Sequence, residues 1–128
     1  MTAAGGALRH IAPVFRVADL ARAIAFYRDA LGFELEFSYE DFYASVRREG
    51  CHVHLQCAPP APRGQAEFER QEHLDACVIV EGIEDLAARF AADGAPFSVP
   101  LRQMPYGAEL YVRDPDGYIL GFIEPAGE

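Results

Sequence analysis

A repeat inside the chain constrains its fold more than any other feature. PVFRVADLARAIAFYRDALGF (13–33) aligns with ACVIVEGIEDLAARFAADGAPF (76–97) at a shift of 63 residues, sliding to 64 by Phe33 and Phe97. Farther on, VRREGCHVHLQ aligns with RDPDGYILGFI at a shift of 67, which pairs Gly50 with Gly117. A shared order of elements at a nearly fixed offset is the mark of a duplicated structural unit. Each copy contains one helical stretch. Leu20, Ile24, Tyr27 and Leu31 recur at helical spacing between Asp19, a good N-cap, and Gly32, a good stop. Ile83, Leu86, Ala87 and Phe90 repeat the pattern before Gly94. Strand-like stretches precede each helix (Ile11–Val17 and Ala76–Val80), and three follow it. They are Phe33–Tyr39, Phe42–Arg47 and Cys51–Cys57 in the first copy, and Pro96–Pro100, Glu109–Arg113 and Tyr118–Ile123 in the second. The pattern is βαβββ written twice.

A βαβββ unit cannot cover both faces of its own sheet, so two units must associate. The expected fold is α+β, with two βαβββ modules (about 8–57 and 73–125) forming a curved mixed sheet with a concave ligand-binding face. At 128 residues the chain has the size of a single domain. The proline-dense stretch 58–64 and the polar stretch up to His73 read as an extended connector.

Charge and composition exclude several function classes. Twenty acidic residues against eleven basic ones give a formal charge of −9. A nucleic-acid partner needs clustered positive charge, and an anionic membrane surface is disfavoured on the same ground. No run approaches the ~18 apolar residues of a membrane span. The first residues have neither a basic region nor a long apolar one, so no secretory signal is expected. Cys51, Cys57 and Cys77 are odd in number and form no CxxC pair, which predicts reduced thiols and a cytoplasmic location. Cys51 and Cys57 read as buried and inert. Nucleophile-elbow, phosphate-loop and dinucleotide-binding motifs are absent from the sequence. Asp114-Pro115-Asp116-Gly117 is turn chemistry, with Gly50 serving the same purpose in the first copy.

PVFRVADLARAIAFYRDALGFELEF (13–37), EDFYASVRREGCHVHL (40–55) and PYGAELYVRDPDGYILGFIE (105–124) resemble the vicinal oxygen chelate superfamily of glyoxalases, ring-cleaving dioxygenases and bleomycin-resistance proteins. Phe37, Glu40-Asp41, Phe42, the arginine pair and the PYG loop look most like the bleomycin-resistance branch. Enzymes of the superfamily hold a divalent metal with side chains from the first and last strands of each half. Carried onto this chain, those positions are Ala12, His54, Asp75 and Gly121. Ala12 and Gly121 offer no ligand, so the resemblance implies no metal cofactor and disfavours metal-dependent catalysis. The alternative is an enzyme (a glyoxalase-type lyase or isomerase, or a ring-cleaving dioxygenase) that holds Zn, Ni, Fe or Mn through His54 and Asp75 with His10 or His52. The leading expectation is a protein that binds and sequesters a small aromatic or cationic compound. A metabolite-binding module is a further alternative. Tyr39, Phe42, His52, His54, Tyr106 and Tyr111 are the candidate ligand contacts, because aromatic groups at a cleft mouth suit flat or cationic molecules. Bleomycin-resistance relatives bind drug in grooves between two subunits, often exchanging the first strand, so the resemblance implies a homodimer.

Overall fold

The computed structural model describes residues 5–127. The first module runs β1 (Val14–Val17), α1 (Leu20–Asp29), β2 (Glu34–Tyr39), β3 (Tyr43–Arg48) and β4 (Cys51–Cys57). A short helix α2 (Gln65–Arg70) follows. The second module is β5 (Ala76–Ile79), α3 (Ile83–Ala92), β6 (Phe97–Met104), β7 (Gly107–Arg113) and β8 (Ile119–Pro125). Each module builds its own four-stranded sheet. The strand orders are β1-β4-β3-β2 and β5-β8-β7-β6, the same topology twice. In each, the first strand runs parallel to the last, and the remaining pairs are antiparallel.

Local chemistry explains the element ends. The Asp19 carboxylate accepts the Arg22 N–H at 2.9 Å and starts α1. Leu20, Ala23 and Tyr27, spaced three and four apart, are its buried face. Ile83 and Phe90 are the buried ends of the corresponding stripe on α3. Pro100 lies inside β6 where the register against β7 slips between Val99 and Arg102. A bulge of this kind is where a strand tolerates a residue that cannot donate to the ladder.

Strand alternation sends Phe15, Val17, Ala44, Val46, Val53 and Leu55 toward α1, and Leu110, Val112, Leu120 and Phe122 toward α3. These two sets belong to one continuous core. The DPDGY segment is the main joint between modules. Asp114 Oδ1 accepts the N–H groups of Asp116 and Tyr118, both at 2.9 Å, while Oδ2 accepts the Tyr27 hydroxyl of α1 at 2.8 Å. Burial pushes the Asp114 carboxyl up to about 6, against the pull of those hydrogen bonds. Among the described residues, no helix is long and apolar enough to cross a membrane.

Four sequence expectations need correction. β1 begins at Val14, because Ile11 and its neighbours lie outside the regular ladder. The polar stretch before His73 is not all extended connector, since it contains α2. The first module's β3–β4 turn places Glu49, not Gly50, in the left-handed region, at φ 51°. Cys51 is exposed and Cys57 half-buried; all three cysteines, including exposed Cys77, are free thiols.

Candidate functional site

Each sheet has one face against its helix and one face free of it, and the helix-free faces carry the chemistry. On the first sheet, register places Val14, His54, Ser45 and Phe37 in one row and Arg16, Gln56, Tyr43 and Tyr39 in the next. The Tyr43 hydroxyl is hydrogen-bonded to His54 Nδ1 at 2.8 Å, and Phe37 meets the His54 ring edge-on at 5.9 Å. Burial pushes the His54 imidazole below its ordinary range, and the nearby His10 and His52 add to this against the pull of Glu36. His54 is therefore a neutral, oriented polar group at pH 7.

Glu36 sits in a bulge of β2 between Leu35 and Phe37, which turns its carboxylate inward. It accepts from Ser45 Oγ at 2.8 Å and meets His52 Nδ1 at 3.1 Å. These contacts, that of Ser45 foremost, hold its carboxyl below the ordinary range. The His10 ring stacks on His52 with centroids 3.7 Å apart, so the segment before β1 is anchored on this face. Phe37, Tyr39 and Phe42 form an exposed aromatic rim beside it, each between 46% and 63% accessible.

The second sheet's equivalent face is covered. Residues 63–74 form a strap across it, with Phe68 and Leu74 packed on Val99, Tyr111 and Ile119. Gly121 makes this possible: a Cβ there would stand 2.7 Å from Leu74 Cδ1. Ion pairs fix the strap along its length. Arg63 donates to both Asp75 oxygens at 2.7 and 2.9 Å and lies over the Phe68 ring. Arg113 grips Glu69, whose carboxyl is held down at about 2 chiefly by that hydrogen bond. Arg102 bridges Glu72 on the strap to Glu109 on β7, at 2.8 and 2.6 Å. Glu109 is wholly buried and also accepts the Tyr106 hydroxyl at 2.5 Å, which pushes that phenol up to about 12.

The six candidate ligand contacts therefore divide between two sheets. His52, His54, Tyr39 and Phe42 are brought together on or beside the open face of the first. Tyr106, half exposed, lies in the β6–β7 turn with its hydroxyl committed to Glu109, and Tyr111 is buried beneath the strap.

The four metal positions do not fit a divalent ion. Ala12 has no donor, and Leu74 occupies the space beside Gly121. Asp75 is clamped by Arg63 and accepts the Ile119 N–H at 2.7 Å. His54 and Asp75 belong to different modules and keep separate partners. Among the described residues, no group of three or more His, Cys, Asp and Glu side chains is arranged to hold a metal. Of the added histidines, His10 and His52 stack on each other on the His54 side.

Sequence reasoning missed Glu36, Tyr43 as the His54 partner, and the Arg102–Glu109 pair. Glu109 had a readable signal, since a carboxylate inside the apolar run AELYV must find a cation if that strand is buried. Glu36 had none, because the bulge that aims it is invisible in a period-two pattern.

The sequence profile of the Glyoxalase/Bleomycin resistance protein/Dioxygenase superfamily matches residues 7–122. No curated protein sequence matches the chain. Among solved structures, the chain is similar to the bleomycin-binding protein from bleomycin-producing Streptomyces verticillus, complexed with copper(II)-bleomycin. There the TM-score is 0.69 at 25% identity, over 92% of this chain and 95% of that one. A glyoxalase-related enzyme from Clostridium phytofermentans gives a TM-score of 0.74 at 19% identity, over 97% and 100%. TnmS3, an antibiotic binding protein from Streptomyces sp. CB03234, gives 0.67 at 20% identity, over 94% and 98%.

Proposed function

Because the chain belongs to the glyoxalase/bleomycin resistance protein/dioxygenase superfamily, we propose that it is a homodimeric binding protein that sequesters a small aromatic or cationic compound without changing it. The observation that carries this reading is the open face of the first sheet, where an exposed aromatic rim lies beside a neutral, oriented histidine. Phe37, Tyr39 and Phe42 supply flat surfaces for stacking and cation–π contact, worth about 0.5–2 kcal/mol each for a desolvated cation. His54 and the Glu36 carboxylate supply directional hydrogen bonding and one fixed negative charge. The formal charge of −9 attracts cations over longer range.

Two of the similar structures are named for small-molecule binding, one for bleomycin and one for an antibiotic. Protection by a protein of this kind works by mass action, lowering the free concentration of the compound. The dimer is supported by the nearly full exposure of Leu8 and Ile11 ahead of β1, where an exchanged strand would begin.

Calorimetric titration with bleomycin, with and without copper(II), tests the reading, together with a panel of cationic polycyclic aromatics. We expect saturable binding near one ligand per chain, weakened at least tenfold by Phe37→Ala, and a dimer by light scattering. Elemental analysis after exposure to Mn, Fe, Ni and Zn tests the opposite reading. Near-stoichiometric retention that is lost in His54→Ala would overturn sequestration in favour of metal chemistry. Binding confined to a host metabolite would assign the same face to a metabolite-binding module.

A further inference from the structure

The duplication allows one inter-module joint to be read against the other. By the offsets of 63 and 67, Phe15, Arg16, Ala18 and Tyr27 correspond to Val78, Ile79, Glu81 and Phe90, while Asp114, Asp116 and Tyr118 correspond to Arg47, Glu49 and Cys51. At the first joint, the Tyr118 ring stacks on Phe15 at 4.2 Å and its hydroxyl accepts the Arg16 N–H at 2.8 Å. Asp116 accepts the Ala18 N–H at 2.9 Å and pairs with Arg22, and Tyr27 donates to Asp114. The outward edge of β1 is thereby closed.

At the second joint each of these groups has been replaced. Cys51 stands in the place of Tyr118, Phe90 has no hydroxyl, and Glu49 lies 3.6 Å from its neighbour Arg48. The space between the modules there is a cleft of about 440 Å3, lined by Phe33, Arg48, Cys51, Val78, Ile79 and Leu86 among others. One wall is the outer edge of β5. Val80 donates inward to Ile123 at 2.9 Å, so alternation along a parallel ladder turns the N–H groups of Ile79 and Glu81 away from β8. They stand where Arg16 and Ala18 stand at the other joint, on an edge that needs hydrogen-bond acceptors.

We infer that this cleft is a second small-molecule site, whose ligand is a planar aromatic compound of two or three fused rings with an oxygen acceptor at its edge, of the phenol or quinone class. Its first joint shows what such a cleft accepts: an aromatic ring laid on the core with a phenolic oxygen on a strand-edge N–H. Its volume lies in the range that encloses a drug-sized ligand. Arg48, held by the Leu31 carbonyl at 2.8 Å, places a cation at the wall to complement a phenolate or quinone oxygen. Glu49 and Glu81 at the rim oppose carboxylates and phosphates. Val78, Leu86 and Phe122 lie on the helix side of the second sheet, so this site is independent of the open face proposed above.

The test is a titration of the full chain with 2-naphthol, followed by its fluorescence and by amide shifts in 1H–15N spectra. Saturable binding that moves the Ile79 and Glu81 amides is expected. Cys51→Tyr restores a phenol of the chain's own, so it should weaken 2-naphthol at least tenfold, abolish the Ile79 and Glu81 shifts and raise Tm. Absence of saturable binding, shifts confined to β2–β4, or undiminished binding to folded Cys51→Tyr would overturn the inference. Dissociation of a dimer by Cys51→Tyr would also overturn it, because the cleft would then be a subunit contact. Should Cys51→Tyr fail to fold, the amide shifts of the unmodified chain decide alone.

Discussion

Replacing Asp114 by Asn should leave stability little changed near pH 4 and raise it as pH increases through 6. Asp114 is 2% exposed and its carboxyl is pushed up to about 6, chiefly by burial, from an ordinary value near 3.8. Between those two pH values the folded state holds the proton more firmly than the unfolded state. Stability from this group is therefore fully present below about pH 3.8 and is lost as pH rises through 6. A difference of about two units at ~1.36 kcal/mol each makes the loss about 3 kcal/mol. Asn keeps an oxygen for the Asp116 and Tyr118 N–H groups, and its amide can donate to the Tyr27 hydroxyl, so the joint survives without a charge. Urea unfolding followed by circular dichroism, at micromolar concentration from pH 4 to 8, measures both proteins. The stability of Asp114→Asn relative to the unmodified chain should climb by about 2–3 kcal/mol across that range. All other carboxylates are common to both proteins and cancel in the difference. A flat or falling difference would refute the assignment of a buried, destabilising charge to the joint.

Glu69 has the opposite sign. Its carboxyl is held at about 2 by Arg113, so the stability it contributes is present above about pH 4.5 and is lost as pH falls toward 2. Glu69→Gln should cost about 1–2 kcal/mol at pH 7, allowing for solvent screening, and nothing measurable near pH 2 in the same unfolding assay. Gly121→Ala drives a methyl to within 2.7 Å of Leu74 and 3.3 Å of Tyr111. It should cost about 1–3 kcal/mol and accelerate amide exchange in residues 63–74 well above that of β4. Raising ionic strength from 0.01 to 0.15 M shortens the Debye length from about 30 to about 8 Å. The affinity for a cationic aromatic ligand should fall several-fold by calorimetry, and that of a neutral isostere should stay constant.

The modules, their helices and the turn at DPDG were legible because each rests on a local rule: a period of 3.6, a capping carboxylate, a proline and a glycine at fixed turn positions. The placement of His10 ahead of β1 was not, because it rests on stacking against His52, a contact across 42 positions of sequence. His52 and His54 were readable as sharing a face, since residues two apart on a strand must do so. That Tyr111 shares the corresponding face of the other sheet was equally readable. Phe68 in the polar stretch could be read either as a cover for a cleft or as part of a plain surface linker, and the structure makes it a cover: with Leu74 it packs on Tyr111, although the two form no periodic pattern. The strap is held by Arg63, Arg102 and Arg113, whose partners Asp75, Glu72, Glu109 and Glu69 are spread along the chain. Ion pairs that join distant segments leave no signature in local composition.

The two halves have diverged in complementary ways, and the divergence accounts for which face and which joint stay open. A duplicated sheet offers two equivalent helix-free faces and two equivalent joints. Small residues decide which of each stays open. Gly121, where the first module has His54, admits Leu74 and lets the strap close the second face. Cys51, where the second module has Tyr118, leaves the second joint unfilled. The polar residues follow the same division. Arg63, Arg102 and Arg113 are drawn under or beside the strap, where they neutralise carboxylates. The open face of the first sheet keeps neutral His54 and ionised Glu36 beside an aromatic rim. In a chain with eleven cations against twenty anions, locking arginines into ion pairs leaves the outward field to the unpaired carboxylates. A cation approaching the open face therefore meets an attractive field and a surface able to stack against it, whereas the covered face offers neither.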